Sequence, residues 1–213
     1  GLTSNCSTGE SNDRVDVKIP DKRQRVLIKK IINKCNRFQI PIVVILISGQ
    51  PLSLTNLVEK NSNVKGIIYG WIPGQGGSDA IADILFGLQN PSGKLCVSLP
   101  RSVGQLPVFY NYKPSGRRSH WKGFYYDSVC EPLFPFGFGL SFTQFKYGDL
   151  NIKKEINNWN GYKIQCNVRN IGKMKGDEVV QLYVRNLGAR YVTRPVMELK
   201  GFLRVEGLKP GEG

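Results

Sequence analysis

The chain has 213 residues, enough for two domains, because a folded domain usually contains about 100–150 residues. Its 30 lysines and arginines exceed its 16 aspartates and glutamates, a formal net charge of +14, but they occur in short dispersed groups without a recognised RNA-binding, zinc-finger or basic-heptad signature, which argues against nucleic-acid binding. The hydrophobic content is an ordinary 40%, and no apolar run approaches the roughly 18–20 residues of a membrane span, which argues against membrane insertion.

The first half of the chain alternates between helix and buried-strand patterns. Asp21 begins a segment whose apolar residues recur at helical spacing, with lysines and arginines between them. Residues 42–47 form a continuous run of β-branched residues and leucine, typical of a strand buried on both faces in a parallel sheet. A second helix is predicted to begin near Pro51, a second strand over 64–71 and a further helix over 79–86. This alternation predicts an α/β sandwich.

The middle of the chain changes character. Asn90-Pro91-Ser92-Gly93 predicts a turn, and the alternating residues that follow predict a strand over 95–99. Residues 100–138 show no clear period and are rich in proline, glycine, aromatic and basic residues. Because long loops in compact domains are usually functional or disordered, and the aromatic content argues for packing, we predict an ordered and functional loop region.

After Tyr147 the pattern becomes that of an all-β domain. Strands are predicted over 163–169, 179–184 and 195–204, with glycines between them. This arrangement is typical of an antiparallel immunoglobulin-like sandwich. Residues 148–213 are fewer than the roughly 100 that such a fold needs, so we expect a truncated sandwich.

The cysteine and histidine content argues against a metal site. The five cysteines are odd in number and widely spaced, without a CxxC pair, and there is one histidine. A metal centre or a tight disulfide framework would need closer spacing and more ligands. The sequence therefore predicts no cofactor, and it predicts reduced, mostly buried thiols.

Five segments occur in an order that matches a known family. They are 8–14, 40–54, 70–95, 100–121 and 132–147. Together they make the chain resemble the C-terminal part of glycoside hydrolase family 3, in particular its β-xylosidases and β-glucosidases that end in a fibronectin type III-like domain. The resemblance implies an α/β sandwich domain over 1–147, with the long loop region 100–138, and a partial fibronectin type III-like domain over 148–213.

The same resemblance implies a role for Glu10. Glycoside hydrolysis normally requires two carboxyl groups. In family 3 the nucleophilic aspartate belongs to an amino-terminal TIM barrel, and the acid/base glutamate lies in the following sandwich, often in a segment written GE, a few residues, then DR. Gly9-Glu10 and Asp13-Arg14 match that pattern, so Glu10 is implied to be the general acid/base of a retaining enzyme, with Asp13 and Arg14 shaping the loop. From the residues alone, Glu10 would be a solvated loop carboxylate.

The loop at 115–121 is the second candidate site. It resembles a segment of the β-xylosidase-like members that helps to frame the mouth of the active site. Its hydrogen-bond donors and ring face could orient a sugar, which makes substrate-binding candidates of Arg117, Arg118, His120 and Trp121. The alternative is that these residues only hold the loop against the barrel.

The resemblance implies an exo-glycosidase for β-xylosides, with β-glucosides or arabinofuranosides as alternatives. Nothing in the chain resembles the barrel, so we expect the chain to hold half of an active site and to be inactive alone. The implied partners are a glycoside or oligosaccharide substrate and the missing barrel of the same polypeptide, without nucleic acid or membrane. Self-association stays open, and a cytoplasmic location is slightly favoured over secretion. The alternative from a different class is a non-catalytic carbohydrate-binding or spacer fragment.

Overall fold

A computed structural model describes residues 14–59, 63–114, 125–155, 161–188 and 191–213. The chain divides into two compact units, each built from segments that are separate in sequence. The first unit contains the described residues within Gly1–Ala82, Leu95–Phe138 and Tyr183–Glu198, and the second those within Asp83–Lys94, Gly139–Leu182 and Leu199–Gly213.

Helix α1, Lys22–Arg37, opens the first unit and confirms the predicted helix. Its N-cap is Asp21, whose Oδ1 accepts a hydrogen bond from the Arg23 N–H at 2.8 Å. Such a cap satisfies one of the amides that a helix leaves without an internal partner. Ile32 is the buried residue of the helix, and the cationic residues between the apolar positions face outward.

Strands β1, Ile42–Ile47, and β2, Val64–Trp71, form a two-stranded parallel sheet with the predicted bounds. The register places Ile47 opposite Trp71 at the carboxyl ends. The Ser48 N–H extends the pairing by donating to the Trp71 carbonyl at 3.0 Å. Both strands therefore end at one edge of the sheet.

The hydrophobic core of the first unit lies on one face of β1. Leu46 is buried there beside Ile32 of α1, and the leucines that follow β1 close over them. Fully burying each such side chain contributes about 1.5–3 kcal/mol. The buried cluster consists of Ile32, Leu46, Leu52, Leu54, Leu57 and Leu99.

The opposite face of β1 contradicts the prediction of a strand buried on both sides. Val43, Ile45 and Ile47 are 53%, 42% and 47% exposed. A continuous apolar run is typical of a strand whose two faces are both covered, whereas the part of the chain that the structure describes leaves this face of β1 largely open.

Two further helices occupy the first half of the chain. Helix α2, Thr55–Val58, begins later than predicted, because the residues after Pro51 form an irregular turn held by Tyr69 before the helix starts. Helix α3, Gly77–Leu85, corresponds to the helix predicted over 79–86.

The strand predicted over 95–99 is wrong. The structure has an isolated antiparallel bridge between Leu99 and Phe134 instead of a strand. Leu95 is bonded to the segment that follows Phe134. Its N–H donates to the Phe138 carbonyl at 2.8 Å, and its carbonyl accepts from the Gly137 N–H at 2.7 Å. Gly137 has φ 80°, a left-handed conformation that bends the partner segment away from a regular ladder.

The second unit is mainly β-structure. Strands β3, Phe145–Lys154, and β4, Tyr162–Asn170, are antiparallel, and β5, Gly176–Val184, lies beside β6, Glu198–Leu208, in another two-stranded sheet. The last three correspond to the predicted strands, whereas β3 was not predicted. A Gly-Asp pair such as Gly148-Asp149 is typical of a turn. In the structure it lies within β3, where the pairing register with β4 is irregular and Asp149 has φ 53°.

A buried asparagine joins three segments of the second unit. Asn170 is fully buried, and its Oδ1 accepts from Thr143 Oγ1 at 2.7 Å and from the Gly172 N–H at 3.0 Å. Its Nδ2 donates to the carbonyls of Met174 and Leu208, both at 2.8 Å. Every hydrogen-bonding site of this amide is used, so Asn170 fixes how these segments meet.

A buried ion pair lies in the same unit. Lys94 Nζ donates to Glu178 Oε2 at 3.1 Å, and the Tyr147 hydroxyl donates to Glu178 Oε1 at 2.7 Å. Burial, and then the hydrogen bond to Glu178, raise the pKa of Tyr147. The tyrosine therefore remains a hydrogen-bond donor at neutral pH.

The cysteines are less buried than predicted. Among the described cysteines, Cys96 and Cys166 are exposed and Cys35 and Cys130 are partly buried, whereas Cys6 lies outside the described residues. Cys166 lies on the exposed face of β4, which the strand pattern alone could not distinguish from a buried face. Among the helices that the structure describes, none is long and apolar enough to cross a membrane.

Candidate active site

The residues predicted to touch substrate lie outside the described parts of the chain. They are Glu10, Arg117, Arg118, His120 and Trp121. What the structure does describe is the framework that leads into both segments: residues 14–19 after Glu10, and residues 101–114 and 125–131 around the loop.

The chain that follows Glu10 passes the carboxyl edge of the parallel sheet. The Ser53 N–H, in the turn after β1, donates to the Val17 carbonyl at 2.7 Å. In open α/β sheets, ligands bind in the crevice outside the carboxyl ends of the strands. The structure thus places Val17, seven residues after Glu10 in the sequence, at the edge where such folds place their chemistry.

Arg14 and Asp16 have local partners in this segment. Arg14 Nη2 donates to the Lys18 carbonyl at 2.9 Å, which closes a short loop and matches the loop-shaping role expected of Arg14. Lys18 donates to Asp16 through its backbone N–H at 3.1 Å and its Nζ at 2.9 Å. The side-chain bond from Lys18 is the largest cause of a lowered Asp16 pKa. Asp16 is therefore ionised at neutral pH and unsuited to protonate a leaving group.

Aromatic residues of β2 hold the turn after β1. The Tyr69 hydroxyl donates to the Gln50 carbonyl and accepts from the Leu52 N–H at 3.1 Å. The Tyr69 ring lies 4.5 Å from the Trp71 ring, centroid to centroid. Trp71 has φ 51°, a left-handed conformation that is strained for a bulky residue, and such strain tends to cluster at functional sites.

Gln105 holds together the base of the long loop. Its side chain is 1% exposed and lies in a 3₁₀ turn, Val103–Gln105. Its Oε1 accepts from the Arg101 N–H at 2.7 Å, and its Nε2 donates to the carbonyls of Val129 and Glu131 at 2.9 and 3.2 Å. One amide thus joins the chain entering the loop to the chain leaving it.

Arg101 connects that loop base to the edge of the sheet. Its Nε donates to the Glu131 carbonyl at 3.0 Å, and its guanidinium pairs with Glu59. Its own carbonyl accepts from the hydroxyls of Ser53 and Thr55, the latter at 2.8 Å. Ser53 therefore touches both the segment after Glu10 and the base of the loop.

Sequence reasoning missed Gln105 and Arg101. In the sequence, Gln105 is a polar residue between Gly104 and Leu106, and Pro107 follows. This pattern is compatible with an exposed turn and therefore does not predict that Gln105 is buried. Burial of a glutamine becomes visible only when the backbone groups that it satisfies, more than twenty residues away at Val129 and Glu131, are known.

Replacing Gln105 by methionine, which has a similar size but cannot satisfy these groups, should lower the free energy of unfolding by about 2–4 kcal/mol, because each unpaired buried group costs about 1–3 kcal/mol. Urea unfolding of the 213-residue chain measures this. The matched control is Gln165→Met on an exposed position of β4. Equal midpoints for the two variants would show that Gln105 does not hold the loop base.

No metal site emerges from the described residues. They contain no group of three or more histidine, cysteine, aspartate or glutamate side chains arranged to hold an ion. The absence of a cofactor stays a prediction.

Comparison with known families gives two matches along the chain. Residues 1–142 match the glycosyl hydrolase family 3 C-terminal domain, and residues 178–213 match the fibronectin type III-like domain. The predicted order, an α/β sandwich domain followed by a fibronectin type III-like domain, is thereby confirmed. The predicted boundary at residue 147 stays a prediction.

Individual relatives agree with these matches. The chain is 42% identical to a β-xylosidase of Formosa agariphila over 99% of its length and 38% identical to a periplasmic β-glucosidase of Salmonella typhimurium over 95%. It spans 28% and 26% of the length of those two proteins. The crystal structure of a β-glucosidase from Listeria innocua in complex with glucose superposes with a TM-score of 0.82 at 32% identity, covering 96% of this chain and 28% of that one.

Proposed function

The chain belongs to glycoside hydrolase family 3, and we propose that it supplies the acid/base segment of a retaining exo-glycosidase. The observation that carries this proposal is the hydrogen bond from the Ser53 N–H to the Val17 carbonyl, 2.7 Å long. It holds the polypeptide just after the motif at the carboxyl edge of β1 and β2, where α/β folds bind ligands.

In this proposal Glu10 acts twice. It first protonates the glycosidic oxygen as the leaving group departs, and it then removes a proton from the water that hydrolyses the glycosyl-enzyme intermediate. The nucleophilic carboxylate comes from a barrel domain outside these 213 residues. Asp16 does not compete for the acid role, because its carboxylate is ionised at neutral pH and the hydrogen bond from Lys18 lowers its pKa further.

The substrate is a β-xyloside or a β-glucoside. Relatives of both names match over nearly the whole chain, and the two sugars differ by one hydroxymethyl group, which small pocket differences discriminate only modestly. Arg117, Arg118, His120 and Trp121 are proposed to contact the sugar from the loop whose base Gln105 and Arg101 secure.

The 213-residue chain alone should show no glycosidase activity, because the second carboxylate is absent from it. The assay measures release of aryl alcohol from aryl β-xyloside and aryl β-glucoside. The same chain with Glu10→Gln, purified in parallel, reveals any contaminating glycosidase.

Turnover of the unsubstituted chain at the level of a complete family member, lost in the Glu10→Gln control, would contradict the division of the site between two domains. A restored activity after adding a separately expressed barrel domain would support that division. A spacer or carbohydrate-binding fragment would show no such restoration.

A further inference from the structure

Helix α1 carries the densest positive charge in the described chain. Its sixteen residues include seven lysines and arginines and no acidic residue, against a formal net charge of +14 for the whole chain. In the sequence these residues look dispersed, but the helical period places Arg23, Lys30, Lys34 and Arg37 on the side opposite the buried Ile32, with Lys22 at the edge of that side. The outward surface of α1 is therefore a cationic ridge.

The cations of α1 differ in how far neighbouring groups already engage them. Arg25 donates to the carbonyls of Ile19 and Pro20, and the Arg37 guanidinium lies 5.6 Å from the centre of the Phe38 ring.

At the start of the ridge, Arg23 Nε lies 3.6 Å from Asp21 Oδ1, although the Arg23 side chain remains 85% exposed. Lys22 and Lys30 have no ion-pair partner among the described residues. The charge near the start of the ridge is thus only partly neutralised, by Asp21.

A shallow depression of about 380 Å³ lies among these side chains. Lys22, Arg23 and Lys30 form its rim, and Val26 and Leu27 form its floor. The two floor residues are 47% and 56% exposed. Positive charge thus surrounds a small aliphatic surface that is exposed to solvent.

We propose that this depression binds an acidic polysaccharide, a chain whose sugars carry uronic-acid carboxylates. The carboxylates would pair with Lys22, Arg23 and Lys30, and the C–H face of a pyranose ring would cover Val26 and Leu27. Such a site holds a polymer beside the enzyme and is separate from the chemistry proposed for Glu10.

The shape of the surface favours a sugar acid over other polyanions. Single-stranded nucleic acids are held by aromatic side chains on which bases stack, whereas this floor is aliphatic. A helix that lies in a lipid surface inserts its apolar side, but Ile28 and Ile32 on that side of α1 pack in the core of the first unit.

The test measures affinity of the 213-residue chain for polygalacturonate by calorimetry at low salt, with fully methyl-esterified polygalacturonate, an oligothymidylate and phosphatidylglycerol vesicles as comparison probes. The triple variant Lys22→Gln/Arg23→Gln/Lys30→Gln should bind polygalacturonate about tenfold more weakly, as expected for three exposed charge contacts. The control Lys146→Gln/Lys153→Gln/Lys163→Gln removes equal charge from exposed positions of β3 and β4 and should change affinity less than twofold.

A second variant separates the floor from the charge. Val26→Ser/Leu27→Ser keeps every cation and should weaken polygalacturonate binding severalfold while leaving oligothymidylate binding unchanged. The proposal is overturned by equal losses in the two triple variants, by an unaffected serine variant, by equal binding of the esterified polymer, or by tighter binding to oligothymidylate or vesicles. None of these outcomes bears on the role of Glu10.

Discussion

Replacing Glu10 by alanine in a complete enzyme that contains this chain is expected to lower the rate on natural β-xylosides or β-glucosides by about 10²–10⁴-fold, because general acid/base catalysis contributes that much. The loss should depend on the leaving group. A dinitrophenyl glycoside departs with little protonation, so its first step should be slowed far less. Steady-state kcat/KM values for a natural disaccharide and the dinitrophenyl glycoside measure the difference.

Two neighbouring carboxylates serve as controls for this prediction. Asp13→Ala and Asp16→Ala should cause smaller losses that do not depend on the leaving group, since Asp16 is an ionised partner of Lys18. A larger, leaving-group-dependent loss at Asp13 or Asp16 would mean that Glu10 is the wrong carboxylate.

Replacing Asn170 by leucine should lower the free energy of unfolding by about 3–6 kcal/mol, because several buried polar groups would lose their partner at about 1–3 kcal/mol each. The amide now satisfies the Gly172 N–H and two carbonyls, at Met174 and Leu208, besides the Thr143 hydroxyl. Urea unfolding followed by circular dichroism gives the change.

The matched control for Asn170 lies in the same strand. Asn167 is exposed, and its Nδ2 donates to Asp149 at 2.7 Å near solvent, so Asn167→Leu should change stability by less than about 1 kcal/mol. If Asn170→Leu does not accumulate as folded protein, Asn170→Asp, which keeps the shape but removes both donors, tests the same point. Unfolding midpoints for Asn170→Asp and Asn167→Leu that match the unsubstituted chain would refute this role.

The elements that sequence reasoning predicted best are those whose signal is local. Helix α1 has an N-cap at Asp21 and a repeating apolar side, and β1 and β2 are apolar runs bounded by turn residues. Each pattern results from contacts within a few residues or with one neighbouring layer, so a single sequence records it.

The elements that were missed depend on contacts between distant segments. Strand β3 contains an irregularity at Gly148 that resembles a turn until its partner β4 is known. Leu95 and Leu99 alternate as in a strand but pair with a bent segment near Phe134. Gln105 and Asn170 are polar residues that become buried only because carbonyls far away in sequence accept their hydrogen bonds.

For the candidate site, too, the sequence and the structure contribute different information. Composition and spacing around Glu10 predict nothing beyond a polar loop, and the proposed role depends on the family motif. The structure adds what the motif cannot, which is that Ser53 anchors the chain after Glu10 and contacts the Arg101 carbonyl at the base of the loop.

The most direct measurement for the central claim is the product formed by Glu10→Ala in a complete enzyme when azide is supplied with a dinitrophenyl β-glycoside. Without the general base, water attacks the glycosyl-enzyme slowly, whereas azide needs no deprotonation and should accelerate turnover. Because a retaining enzyme inverts the anomeric centre twice, proton NMR should show the β-glycosyl azide. Formation of the α-glycosyl azide, or an unchanged rate with no azide product, would contradict the assignment of Glu10 as the acid/base of a retaining glycosidase.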